Sequence, residues 1–67
     1  MAKYSIISSE CNNEITFYQN DDNNCEIDIY LNDGEIAETV IYNLDELNDF
    51  IKHLEIVRDN IESKINK

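Results

Sequence analysis

From Lys3 to Tyr42 the apolar and polar positions alternate in short runs. Residues 25 to 31 give the clearest pattern: Cys25, Ile27, Ile29 and Leu31 fall on one side of an extended chain and Glu26, Asp28 and Tyr30 on the other. A period of two marks a strand with one dry face and one wet face. Residues 14 to 19 repeat it, with Ile15 and Phe17 set against Glu14, Thr16 and Tyr18. Residues 3 to 9 and 36 to 42 share the enrichment in Ile, Val, Thr and Tyr that fits a pleated surface, with Tyr4 and Ile6 turned inward and Ile7 outward. Asn/Asp clusters and the single glycine, Gly34, separate the four runs. Short connections of that kind join antiparallel strands.

After Tyr42 the period changes. Asn43 and Glu46, three positions apart, have the spacing of a capping box, in which each side chain bonds the other's backbone N–H. Leu47, Phe50, Ile51, Leu54, Val57, Ile61 and Ile65 then form one apolar stripe at helical spacing. Asp45, Glu46 and Asp49 lie near its start and Lys64 and Lys67 at its end, as a helix dipole favours. The pattern predicts an α+β fold: a four-stranded antiparallel β-meander over residues 3–42, packed against one long C-terminal α-helix over 44–66 (ββββα), in a single domain of residues 1–67. A helix of that length is about 34 Å long, against about 20 Å for a six-residue strand. It should overhang the sheet, leaving Ile61 and Ile65 either in frayed turns or in a dimer contact, here an antiparallel pairing of two helices. Ile56, on the side opposite the stripe, also lacks an evident partner.

The last hairpin admits two registers. A two-residue Asp33-Gly34 turn sets Glu38 opposite Ile29 on the dry face, whereas a three-residue loop with Gly34 in the left-handed region brings Glu38 beside Asp28 on the wet face. Burying an unpaired carboxylate costs more than a like-charge contact at a surface. The three-residue loop is therefore expected, with Ala37, Thr39 and Ile41 inward. Glu26, Asp28 and Glu38 would then crowd the outer face, with Tyr18, Tyr30, Ile36 and Val40 among them.

Charge sharpens this picture. The 67-residue chain has a formal net charge of −10, and between Lys3 and Lys52 it has twelve carboxylates and no lysine, arginine or histidine. Solubility in a small domain needs a charge of only about 2 to 8. Self-repulsion destabilises a compact state, so the field itself is a candidate product of the sequence. Apolar residues at 42% exclude an acidic disordered tail. No apolar run is long enough to span a bilayer, and Met1 to Ile7 resembles no secretory leader, so a cytoplasmic location is expected, with Cys11 and Cys25 reduced. Anionic lipid would repel the surface, which argues against a membrane partner.

Specific chemistry finds little support. If Asp22, Asn24 and Glu26 were alternate calcium ligands, Ile27 would stand where the loop needs glycine and Asp33 where it needs a bidentate glutamate. His53, the one histidine, lies off the apolar stripe, and no nucleophile–base set, phosphate-binding loop or zinc motif is present. No enzyme, cofactor or metal is expected. Direct nucleic-acid binding is opposed by sign, because phosphate backbones are met by Lys and Arg.

Acids placed where such a protein carries bases suggest the inverse relation. In length, acid-rich body, compact α+β pattern and Ile/Asn/Asp/Lys-rich composition, the chain resembles the small acidic inhibitors of phages and mobile elements, the anti-CRISPR and anti-restriction proteins that imitate nucleic acid. The resemblance is one of class, and no motif carries a residue across. It implies a stoichiometric blocker of a basic nucleic-acid-binding effector, such as a CRISPR–Cas complex, in an infected or host bacterial cell. The expected contact residues are Tyr18, Asp21, Asp22, Glu26, Asp28, Tyr30, Asp33, Glu35 and Glu38. Two other readings remain: an immunity or antitoxin-like blocker of a basic toxin, and a homodimeric interaction module whose acidity serves solubility.

Overall fold

A computed structural model of the chain describes residues 2–65. Four strands, β1 (Lys3–Ile7), β2 (Glu14–Gln19), β3 (Cys25–Tyr30) and β4 (Ile36–Tyr42), form one antiparallel sheet in the order β1-β2-β3-β4, and a single helix, α1 (Leu44–Ile65), follows. This is the ββββα meander that the periodicity predicts. The expected extension of the helix to residue 66, and Lys67 in its last turn, lie outside the described residues.

Two hairpin loops are built alike. In the first, Asn20 N donates to Asn24 O (2.9 Å) and Asn23 N to Asn20 O (3.1 Å). In the second, Leu31 N donates to Glu35 O (2.8 Å) and Gly34 N to Leu31 O (2.9 Å). Each encloses three residues, and the third must take a left-handed conformation: Asn23 has φ 63° and Gly34 φ 91°. Asparagine and glycine are the residues that tolerate this region. Asn20 Oδ1 accepts from the Asp22 and Asn24 amides, and Asp33 Oδ1 from Glu35 N, so the Asn/Asp-rich loops satisfy their own backbone.

The three-residue loop is as expected, but the register beyond it is not. A β-bulge at Ala37 follows the Tyr30–Ile36 pair, so that Ile29 faces Glu38, Asp28 faces Thr39, Ile27 faces Val40 and Glu26 faces Ile41. Glu38 therefore leaves the outer face, Val40 joins the inner one, and Thr39 and Ile41 point outward. The bulge removes the like-charge contact between Asp28 and Glu38 and gives Asp28 a donor, since Thr39 Oγ1 lies 2.8 Å from Asp28 Oδ1. Glu38 escapes the burial penalty because it stays exposed on an edge strand. A bulge and an inward-pointing charge also blunt that edge against pairing with other chains.

The inner face is apolar. One row runs Tyr4, Phe17, Ile27 and Val40, and the next Ile6, Ile15 and Ile29 to Glu38. Ile27, with 6% of its surface accessible, is the one buried aliphatic residue among the described residues. The Tyr4 and Phe17 rings stack at 5.9 Å.

The helix covers less of this face than expected. The predicted capping box forms, with Asn43 Oδ1 accepting from Glu46 N (2.9 Å) and Glu46 Oε1 from Asn43 N (3.0 Å). The first turns rest on the end of β4, where Tyr42 and Phe50 approach to 5.4 Å. Leu47 and Phe50 are half-buried, and every residue from Ile51 to Ile65 is exposed. The stripe thus loses its cover at Ile51, a full ten residues before Ile61. The molecule is accordingly long, 43 × 32 × 19 Å with a radius of gyration of 14.0 Å, where a compact chain of this length has about 11 Å.

Candidate protein-binding surface

On the outer face the side chains form three rows across the sheet: Lys3, Tyr18, Glu26 and Ile41; Ser5, Thr16, Asp28 and Thr39; and Ile7, Glu14, Tyr30 and Ile36. In the first row the Lys3 ammonium stands 5.0 Å from the centre of the Tyr18 ring, whose hydroxyl donates to Glu26 Oε2 at 2.5 Å. That hydrogen bond, helped by the negative charge around it, pushes the Tyr18 phenol up to about 12. In the second row Thr16 and Asp28 are only 7% and 6% accessible, screened by the larger side chains on either side. Asp28 accepts from Thr39, and Thr16 Oγ1 has no partner.

The carboxylates expected to bind a partner therefore divide. Glu26 and Asp28 share the outer face with Tyr18 and Tyr30, but both are hydrogen-bond acceptors within the sheet, and Asp28 is buried. Glu38 belongs to the opposite face. The exposed acids instead gather at the two ends of the sheet. Strand direction puts Asp21 and Asp22 at the end where α1 begins with Asp45, Glu46 and Asp49, and puts Glu10, Asp33, Glu35 and Glu38 toward the other end. A six-residue strand separates the two groups by about 20 Å.

The first group was only half legible. Asp21 and Asp22 read as a loop cluster in the sequence, whereas Asp45 and Asp49 read as helix-dipole partners. They meet at one end because a four-stranded meander returns its last strand to the side of the β2–β3 loop.

At the end where sheet and helix join, the inner face carries an open apolar groove of about 320 Å³, lined by Tyr4, Phe17, Cys25, Tyr42, Leu44 and Leu47 with neighbouring amides. No carboxylate, lysine or histidine lines it. Cys11 lies elsewhere, exposed in the β1–β2 loop, where the Ser8 hydroxyl and the Asn13 backbone hold its thiol below the ordinary range. Among the described residues no group of three or more His, Cys, Asp or Glu side chains could hold a metal ion, and no helix is long and apolar enough to cross a membrane. Ile61 and Ile65 are 54% and 74% accessible on the distal part of α1.

Comparison with protein-family models, with curated proteins and with solved structures finds no match.

Proposed function

We propose that this protein is a stoichiometric inhibitor that imitates nucleic acid and occupies the basic channel of a nucleic-acid-binding effector, a CRISPR–Cas complex being one such target. The observation that carries this reading is the absence of any base from residues 4–51 together with the placing of exposed carboxylates at both ends of a rigid sheet. Such a surface presents fixed negative charge that a cationic channel can meet at several points. Long-range attraction would speed encounter and orient it. Tyr30, half-buried on the outer face, and the Tyr18 ring supply aromatic area beside that charge. Inhibition would proceed by occupancy, without catalysis.

Exposure divides the acids within this scheme. Asp21, Asp22, Asp33 and Glu35 are exposed in the loops and can approach a partner, while Glu26 and Asp28 hold the outer face in shape and Glu38 lies on the inner face. Replacing Asp21, Asp22 and Glu35, whose carboxylates hold no backbone bond, with Lys should abolish capture of the target at unchanged fold, because exposed positions away from such bonds tolerate substitution. Binding by the unsubstituted chain should weaken steeply as salt rises, since charges beyond about 8 Å are screened at physiological ionic strength. Recovery of a nucleic-acid enzyme from a lysate at low salt, lost at high salt and lost in the three-site variant, is the expected result. Recovery of a basic toxin in its place would favour the immunity reading. Capture that ignores both salt and charge reversal would overturn electrostatic mimicry.

A further inference from the structure

We infer that the inner face of the sheet is covered by the free part of α1 from a second copy of this chain, each protomer laying its helix on its partner's sheet. Three observations converge on this occupant. The accessible surface of one protomer is 5549 Å², about 1,100 Å² above the roughly 4,400 Å² of a compact monomer of its mass. Two protomers therefore have about 2,200 Å² to hide, the size of an obligate homodimer interface.

The lengths also match. With the first turns of α1 seated on their own β4, residues 51–65 remain, and at 1.5 Å per residue they extend about 22 Å, against about 20 Å for a six-residue strand. Leu54, Val57 and Ile61 face solvent on this segment just as Tyr4 (60% accessible) and Ile6 (61%) do on the sheet. A helix with no buried residue is marginal in water, so its persistence calls for a cover.

Charge selects the copy. Two bodies of net charge −10 repel, yet the two surfaces at issue are the ones that do not. Residues 52–65 balance Lys52, Arg58 and Lys64 against Glu55, Asp59 and Glu62, and the inner rows of the sheet hold one charged side chain, Glu38. Reciprocal docking buries both apolar surfaces under one two-fold axis, whereas pairing the helices with each other leaves both sheet faces bare. The loop acids at the two ends stay outside and are displayed twice, and Glu38 alone among the end acids lies on the covered face.

Sedimentation equilibrium with charge-conserving variants tests this. The unsubstituted chain should sediment at twice the protomer mass at about 100 µM and dissociate on dilution. Tyr4→Gln with Ile6→Gln on the sheet, and Leu54→Gln with Val57→Gln on the helix, should each weaken pairing roughly 100-fold or more. Mixed in equal amounts, the two variants should recover a heterodimer, because one contact then joins an intact helix to an intact sheet while both lesions fall in the other, where the costs of touching residues do not add. A wild-type monomer at about 100 µM, a sheet variant that pairs as tightly as wild type, or a mixture no tighter than its parents would overturn the inference. Should a variant fail to fold, amide exchange in the unsubstituted chain decides: protection of residues 51–65 that rises with protein concentration supports it, and protection that does not change with concentration overturns it.

Discussion

Within the sheet, two of the three hairpin loops close on the same pair of backbone bonds, and the third, between β1 and β2, closes through Ser8 N to Asn13 O (2.9 Å) and Asn12 N to Ser8 O (2.8 Å). The helix is closed at its N-terminus by Asn43 and Glu46, but from Ile51 onward, among the described residues, its one side-chain ion pair joins neighbours, Arg58 and Asp59, at 3.1 Å with both groups mostly exposed. Such a pair contributes little in water. The difference separates two kinds of information. Turns, caps and strand rows are fixed by residues a few positions apart or directly opposite, so they are complete inside one chain. The cover for an apolar face is a long-range matter, and here neither the inner sheet face nor the distal helix finds it at home.

The largest effect that could sharpen this contrast is at Ile27. Ile27→Ala should cost about 2 to 5 kcal/mol in urea denaturation at any protein concentration, because Ile27 is buried by neighbours within its own protomer and its removal strips their contacts. Leu54→Ala should cost much less in dilute solution and approach that figure only as concentration rises. Equal costs for the two substitutions in dilute protein would erase the distinction between body and arm.

A smaller effect isolates the bulge. Thr39→Val keeps the shape of the side chain but takes the donor from buried Asp28, which should destabilise the sheet by about 1 to 3 kcal/mol. If Thr39→Val is neutral, the hydrogen bond is not what sets the register. Gly34→Ala should follow at about 1 to 2 kcal/mol, since an L side chain resists a positive φ. Asn23→Gly, in the matching place of the other loop, should be neutral or slightly stabilising.

These sites also mark how far the sequence could be read. The alternation in β2 and β3, the capping box at Asn43 and the left-handed role of Gly34 follow from nearest neighbours, and each is visible in residue types alone. The conflict between Asp28 and Glu38 was visible too, but its resolution was not. Hairpin rules offered two registers, each with a carboxylate in a poor place, and the chain combines them: the three-residue loop is kept, and a one-residue bulge at Ala37 then restores the Ile29–Glu38 pairing of the two-residue turn. The signal for it is Thr39, a donor one position past the offending glutamate. The reach of the helix was illegible for another reason: a hydrophobic stripe tells which side of a helix wants cover and is silent on what covers it. The contact surface was legible as composition only, because strand direction, not the sequence of any one segment, brings Asp21 and Asp22 to the end where Asp45 and Asp49 begin the helix.

The finest test of the body concerns Tyr18, where the outer face meets alkaline pH. Its phenol donates to Glu26 and holds its proton up to about 12, against an ordinary value of 10.0. Below the unfolded value both states keep the proton, and the Tyr18–Glu26 bond contributes its full stability. Between the two values the unfolded chain has released the proton while the folded chain retains it, so folding takes up a proton and stability falls as pH rises. Above about 12 the hydroxyl is ionised in both states, and the bond is replaced by repulsion from Glu26. The urea midpoint of the unsubstituted chain should therefore drop further between about pH 9.5 and about pH 11.5 than that of Tyr18→Phe, which has no proton to lose there. Parallel slopes for the two proteins would mean that the bond is not maintained in solution. The comparison reads Tyr18 alone, because the tyrosines common to both proteins cancel, and it can be made on dilute protein in which the helical arm has no partner.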